Sequence, residues 1–133
     1  MMKKLTALLT ALFLLLSATA LADEVLHIGI IQFAEHGSLD NCRIGFIEGL
    51  AEEGFVEGEN VVFDVQNAQA DTAISAQIAD VMAGKYDMIC AIATPAAMAA
   101  FNAAEDAGIP VIYTAVSDPV SAMLAGADGK NPG

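Results

Sequence analysis

Thr94-Pro95-Ala96-Ala97 is the stretch of this chain with the plainest chemical use. A proline at the start of a helix pre-sets its first turn, and the backbone N–H groups of Ala96 and Ala97, with the Thr94 hydroxyl beside them, would receive an anion such as a carboxylate. The same residues also describe an ordinary capped helix start, and the two readings stand side by side. Asp118 before Pro119 is equally double: an acceptor for an ammonium group, or the cap of a short helix over Val120 to Leu124. His36, Asp40 and Cys42 lie close together, but Asp40 and Cys42 are two positions apart and point to different sides of a helix, so the trio reads as loop and cap residues rather than a catalytic group. His27 falls mid-strand and reads as structural. The two histidines and two cysteines show none of the short pairings of a metal site, so neither metal nor cofactor is expected. No G-x-G-x-x-G or G-x-x-x-x-G-K-[ST] follows the first apolar run, and Lys85 falls at a helix end on the wrong side of the sheet, which argues against nucleotide chemistry.

The elements that must position these groups alternate. Val25 to Phe33, Asn60 to Gln66, Asp87 to Ala93 and Pro110 to Tyr113 are short β-rich runs, mostly without polar alternation, as in strands covered on both faces. Between them, Leu39 to Glu53, Thr72 to Ala83 and Pro95 to Ala107 have helical spacing. Leu39, Arg43, Phe46, Ile47 and Leu50 mark one face of the first helix, with Ser38 expected to cap it and Gly54 to end it. Ile74, Ile78, Val81 and Met82 do the same in the second, between Asp71 and Gly84, and the third stops at Gly108-Ile109-Pro110. The order βαβαβαβ with short connections predicts an α/β fold, a doubly wound parallel sheet with helices on both faces.

Charge and composition narrow the partners. The 133 residues carry 17 acidic against 5 basic side chains, a net charge of -12, with 56% hydrophobic residues. Lys3 and Lys4 belong to an expected leader, which leaves only Arg43, Lys85 and Lys130, scattered, so no nucleic-acid partner is expected. Residues 1–22 read as a cleavable signal peptide: a basic start, the apolar stretch Leu5 to Leu16, and Ala20-Leu21-Ala22 as the cleavage site. That run is shorter than the roughly 20 residues of a membrane span, and no cysteine follows the cleavage site to carry a lipid. The expected mature part, residues 23–133, is therefore a soluble exported domain. Cys90 lies inside the apolar run Met88 to Ala93 and reads as a small core residue, so a disulfide with Cys42 is left open and disfavoured.

In an open parallel sheet the ligand crevice lies beyond the carboxyl ends of the strands. The residues that follow the four runs there are Gln32 to His36, Asn67 to Gln69, Thr94 to Ala97 and Thr114 to Pro119. All mix small residues with hydrogen-bonding side chains, which suits a polar small molecule.

Taken as a set, IGIIQFAEHGSLDNCRIGFIEGL at Ile28 to Leu50, EGENVVFDVQNAQAD at Glu57 to Asp71, DMICAIATPAAMAA at Asp87 to Ala100 and IPVIYTAVSDPVSA at Ile109 to Ala122 resemble the amino-terminal lobe of ABC transporter substrate-binding proteins. The resemblance is to the tryptophan/tyrosine-type family, with the type I periplasmic binding fold, and it covers essentially all of residues 23–133. It implies a periplasmic, non-catalytic protein that captures a small ligand, most simply an aromatic amino acid, and delivers it to a membrane permease and its ATPase, touching the membrane only through them. By the same resemblance Thr94, Pro95 and Ala96 would hold the ligand carboxylate, Ser117 and Asp118 would line the same pocket, and Asn67 and Gln69 would flank it. Gln32, Glu35 and His36 would border the side-chain end, with Phe33 as an apolar rest. Family members have two lobes that close on the ligand, so the chain is expected to be the first lobe only. The readings held against this one are a ligand-sensing domain of a receptor or regulator, a small α/β enzyme using His36 and Asp40, and a sugar or peptide as the ligand.

Overall fold

Strand β1 (Leu26–Gln32) buries Ile28, Ile30 and Ile31 completely, so it is covered on both faces. The computed structural model describes residues 24–130, and the leader expected over 1–22 lies outside them. After β1 come α1 (Gly37–Glu52), β2 (Val61–Asn67), α2 (Thr72–Ala83), β3 (Met88–Ile92), α3 (Thr94–Ala107) and β4 (Val111–Thr114). The four strands form one parallel sheet in the order β2-β1-β3-β4. Strand ends shift by one residue from the expected bounds, but the alternation stands as read.

Two separate cores hold the helices to the sheet. On one face α1 brings Leu39, Cys42, Phe46, Ile47 and Leu50 down on Ile28, Ile30, Val61, Cys90 and Ile92. Phe46 meets Phe63 edge-on at 6.5 Å between ring centroids, a favoured aromatic geometry. On the other face α2 and α3 pack on Ile31, Ile89 and Ala91 through Ala79, Met82, Ala96, Ala97 and Ala100. The alanines let the helices approach closely. Gly29 serves the same end, because a Cβ there would stand 2.6 Å from Met82 Sδ and 3.1 Å from the Tyr86 ring. Among the described residues only α1 lies on the first face; none of its residues is fully buried, and Ile44 on it and Ile112 on β4 stay exposed.

Several local expectations are corrected. Helix α1 starts at Gly37, and its cap is His36 rather than Ser38, because His36 Nδ1 accepts from the Ser38 N–H at 3.2 Å. Val81 is not on the buried face of α2 but 66% exposed, since Ser75, Ala79, Met82 and Ala83 take the inward positions. The expected helix over Val120 to Leu124 is a run of turns instead, with Asp118 accepting from the Ser121 N–H at 3.0 Å at its start. Among the described residues both cysteines are free, Cys90 is fully buried, and burial pushes its thiol up to about 12.

Candidate functional site

Parallel register brings the ends of all four strands into one row. Gln32 of β1 stands opposite Asn67 of β2 and Ile92 of β3, and Ile92 stands opposite Thr114 of β4. The four following loops therefore emerge side by side, about 4.8 Å per strand. From β1 the chain turns outward to β2 through α1 on one face, and from β3 to β4 through α3 on the other, so β1 and β3 flank the switch point where α/β sheets open a crevice. The backbone is strained along this same row. Gln69, Ala70, Ala93 and Ala115 have positive φ (53°, 59°, 83° and 57°). Ala93, at φ 83° and ψ 154°, lies in a region held almost only by glycine, and such strain persists only where the surroundings enforce it.

What enforces it is the junction between β3 and α3. The Ala93 N–H donates to the Thr114 carbonyl at 3.0 Å, while the Ala93 carbonyl accepts from the Ala97 N–H at 2.9 Å. The Ala97 donor, expected to be free, is thereby spent, and Pro95 has no N–H. Of the donors at this helix start, those of Thr94 and Ala96 remain, with the half-buried Thr94 hydroxyl beside them and no side-chain cap. Ala96 and Ala97 are fully buried, backbone included, so the part of this start that faces solvent is the partly exposed Thr94-Pro95 turn. An uncapped helix start that opens to solvent at Thr94 can receive a carboxylate at its positive dipole end.

The first loop is held from behind. Gln32 is 3% exposed, and its Nε2 donates to the Ala34 carbonyl at 2.9 Å and to Asp40 Oδ1 at 2.8 Å, while its Oε1 accepts from Arg43 Nε at 3.0 Å. Phe33 is half-buried, its N–H donating to the Ile92 carbonyl at 3.2 Å, and Glu35 and His36 are exposed beyond it. With Nδ1 accepting, neutral His36 carries its proton on Nε2, free to donate outward. Asp40 and Cys42 have structural positions: Asp40 faces Gln32 and Arg43, and Cys42 packs into the α1 core.

The flanks differ in how much of their polarity is free. Asn67 Oδ1 accepts from the Gln69 N–H at 2.7 Å, an Asx turn that leads into the positive φ at Gln69, and Asn67 and Gln69 are both exposed. Ser117 is exposed. Asp118 accepts from both the hydroxyl and the N–H of Ser121, which hold its carboxyl below the usual carboxylate range. Sequence reasoning missed Ala93 and Ala115, because an alanine carries no sign of positive φ, and missed the partnership of Gln32 with Asp40 and Arg43.

A groove of about 330 Å³ lies elsewhere, between the β2 edge and α2, lined by Asp64, Gln66, Ile78, Val81, Met82 and Tyr86 among others. There the Tyr86 hydroxyl donates to Asp64 Oδ2, and Gln66 Nε2 donates to Oδ1 at 2.8 Å, holding the Asp64 carboxyl below its ordinary range. These contacts tie the sheet edge to the turn after α2. Among the described residues no group of histidine, cysteine and carboxylate side chains could hold a metal, and no helix is long and apolar enough to cross a membrane.

Known proteins share this fold. Residues 27–133 match the family model described as ABC transporter substrate binding protein. A tyrosine-binding protein of Clostridioides difficile is 48% identical over 99 residues, which are 74% of this chain and 28% of that protein. A ligand-free, open structure of a substrate-binding protein with adhesive properties from Clostridium difficile superposes with a TM-score of 0.72 at 50% identity. An ABC domain from Streptococcus pneumonia in complex with L-Trp does so with 0.70 at 37% identity. Each structure matches 77% of this chain, which spans 34% of theirs. The chain spans about a third or less of the relatives it matches, and within that span it belongs to the ABC transporter substrate-binding protein family.

Proposed function

We propose that this chain is the first lobe of an extracytoplasmic binding protein that captures an aromatic amino acid and passes it to a membrane permease driven by an ATPase. The observation that carries the reading is the uncapped start of α3 behind a strained Ala93, in the middle of the row of strand ends. Its Thr94 N–H and hydroxyl suit a carboxylate, with Pro95 fixing the turn and the buried Ala96 seating it on the sheet. Ser117 and Asp118 on one side, and Asn67 and Gln69 on the other, supply polar neighbours, Asp118 as a carboxylate for an ammonium group. Phe33, Glu35 and His36 border the side-chain end. The tyrosine-binding relative and the L-Trp complex support an aromatic ligand. Residues 1–22 act as the export signal, residues 23–133 as the lobe, and a second lobe closes the pocket in the whole protein. No step of this role needs catalysis, a metal or a cofactor.

The test is thermal unfolding of the natural full-length polypeptide against a panel of amino acids and sugars. A ligand at 100 times its Kd adds about 2.7 kcal/mol of stability, a shift of several degrees in the midpoint. A shift with tyrosine or tryptophan is the expected result. A shift with sugars alone, or with nothing, removes the proposal.

A further inference from the structure

Resting on the reading that the strand-end loops receive the ligand, we propose that Gln32, Asp40 and Arg43 form a positioning network that sets the first loop, Phe33 to His36, in its receiving place. Gln32 is the last residue of β1, and its side chain is almost fully shielded from solvent. The amide is held from both ends by groups of opposite charge: the Arg43 guanidinium donates to its oxygen, and the Asp40 carboxylate accepts from its nitrogen. Only in this orientation does the second N–H of Nε2 reach the Ala34 carbonyl, because a flipped amide would set oxygen against carbonyl oxygen and carboxylate. Arg43 and Asp40 are one helical turn apart on α1, with Nη2 to Oδ1 at 3.7 Å, so the same two residues tie the helix to the loop that precedes it.

The network sits behind the ligand-facing surface. Gln32 has no free donor to offer a ligand, since both its N–H groups are engaged, and its oxygen, held by Arg43, is shielded with the rest of the side chain. What it offers is order in a loop whose outer residues, Glu35 and His36, are exposed. A loop already ordered before binding costs the ligand less affinity than one ordered by it.

Gln32→Glu keeps the size and the acceptor for Arg43, but removes both donors and sets a second carboxylate against Asp40. In the ligand-free full-length protein, amide exchange of Phe33, Leu39 and Ala70, whose N–H groups donate to Ile92, His36 and Phe33 at the ends of this loop, is expected to quicken by about tenfold, with amides of β3 and α2 unchanged. Affinity for L-tyrosine or L-tryptophan, measured well below the unfolding midpoint, is expected to fall by about tenfold, the usual scale of a lost charged hydrogen bond. Asp40→Asn keeps an oxygen for the Gln32 N–H and is expected to bind within about twofold of the parent, whereas Asp40→Leu is not. Arg43→Met, at a half-buried position, gives a milder loss of the same kind should Gln32→Glu not fold. Unchanged loop exchange, or a lowered midpoint with unchanged affinity, overturns the proposal. If the parent binds neither amino acid while the loop still loosens selectively, the network stands as a loop tether and the ligand assignment falls.

Discussion

Helices α2 and α3 begin at the same edge of the same sheet, yet one start is closed and the other open. At α2 the Asp71 carboxylate accepts from the N–H groups of Ala73 and Ile74 at 2.7 and 3.1 Å, and its charge complements the positive end of the helix. At α3 the corresponding position is Ala93, whose side chain can accept nothing and whose backbone is held at φ 83°. The protein thus satisfies one helix start internally and leaves the other without a side-chain cap. A start left open costs stability that a cap would have supplied, about 1 kcal/mol, and adds local strain of the same order. Such a cost is intelligible where a ligand takes the place of the cap.

Changes at the two starts should separate stability from binding. The largest effect is expected for Ala93→Val, which places a β-branched side chain at positive φ and should lower stability by about 3 kcal/mol in chemical denaturation. Next, Thr94→Val preserves shape but removes the hydroxyl at the open start. Affinity for the amino-acid ligand should fall about tenfold in calorimetric titration, while the unfolding midpoint without ligand stays within a degree or so. The reverse pattern is expected of Asp71→Ala, with about 1 kcal/mol lost in stability and affinity unchanged. If Asp71→Ala weakened binding as much as Thr94→Val, the two starts would not differ in function.

The smallest effect lies away from both starts. Tyr86→Phe removes the hydroxyl that donates to Asp64 and should cost about 1 kcal/mol at neutral pH, with binding intact. Tyr86 holds the folded pKa of Asp64 below its unfolded value, so this contribution is fully present above about pH 4 and fades as pH falls through the folded pKa. Unfolding curves of the two proteins should therefore draw together toward pH 2. A gap that stayed constant with pH would mean that the hydroxyl acts by packing alone.

The elements were legible because their signals are local. Apolar runs marked the strands, Asp71 and Gly84 bracketed α2, and Pro95 and Gly108 bracketed α3. The location of the candidate site followed from topology, since strand ends in a parallel sheet must share an edge. Its mechanics did not. Ala93 adopts its strained conformation because Thr114 and Ala97 bind it on either side, and neither neighbour in space is marked in the sequence. Gln32 meets Asp40 and Arg43 eight and eleven residues away, a strand-to-helix contact that no periodicity reports. Val81 fitted the helical spacing of α2 but fell on its outer flank, because Ala79 and Met82 already fill the contact with the sheet. His36 replaced Ser38 as a cap because the helix starts two residues earlier than the polar residues after β1 suggested.

The most direct test is calorimetric titration of L-tyrosine and L-tryptophan into the natural full-length polypeptide and its Thr94→Val variant, at a temperature where both are folded. The account predicts binding by the parent and a loss of about tenfold in the variant, with its unfolding midpoint unchanged. Equal affinity in the two proteins would contradict it, because the open start of α3 would then hold no part of the ligand.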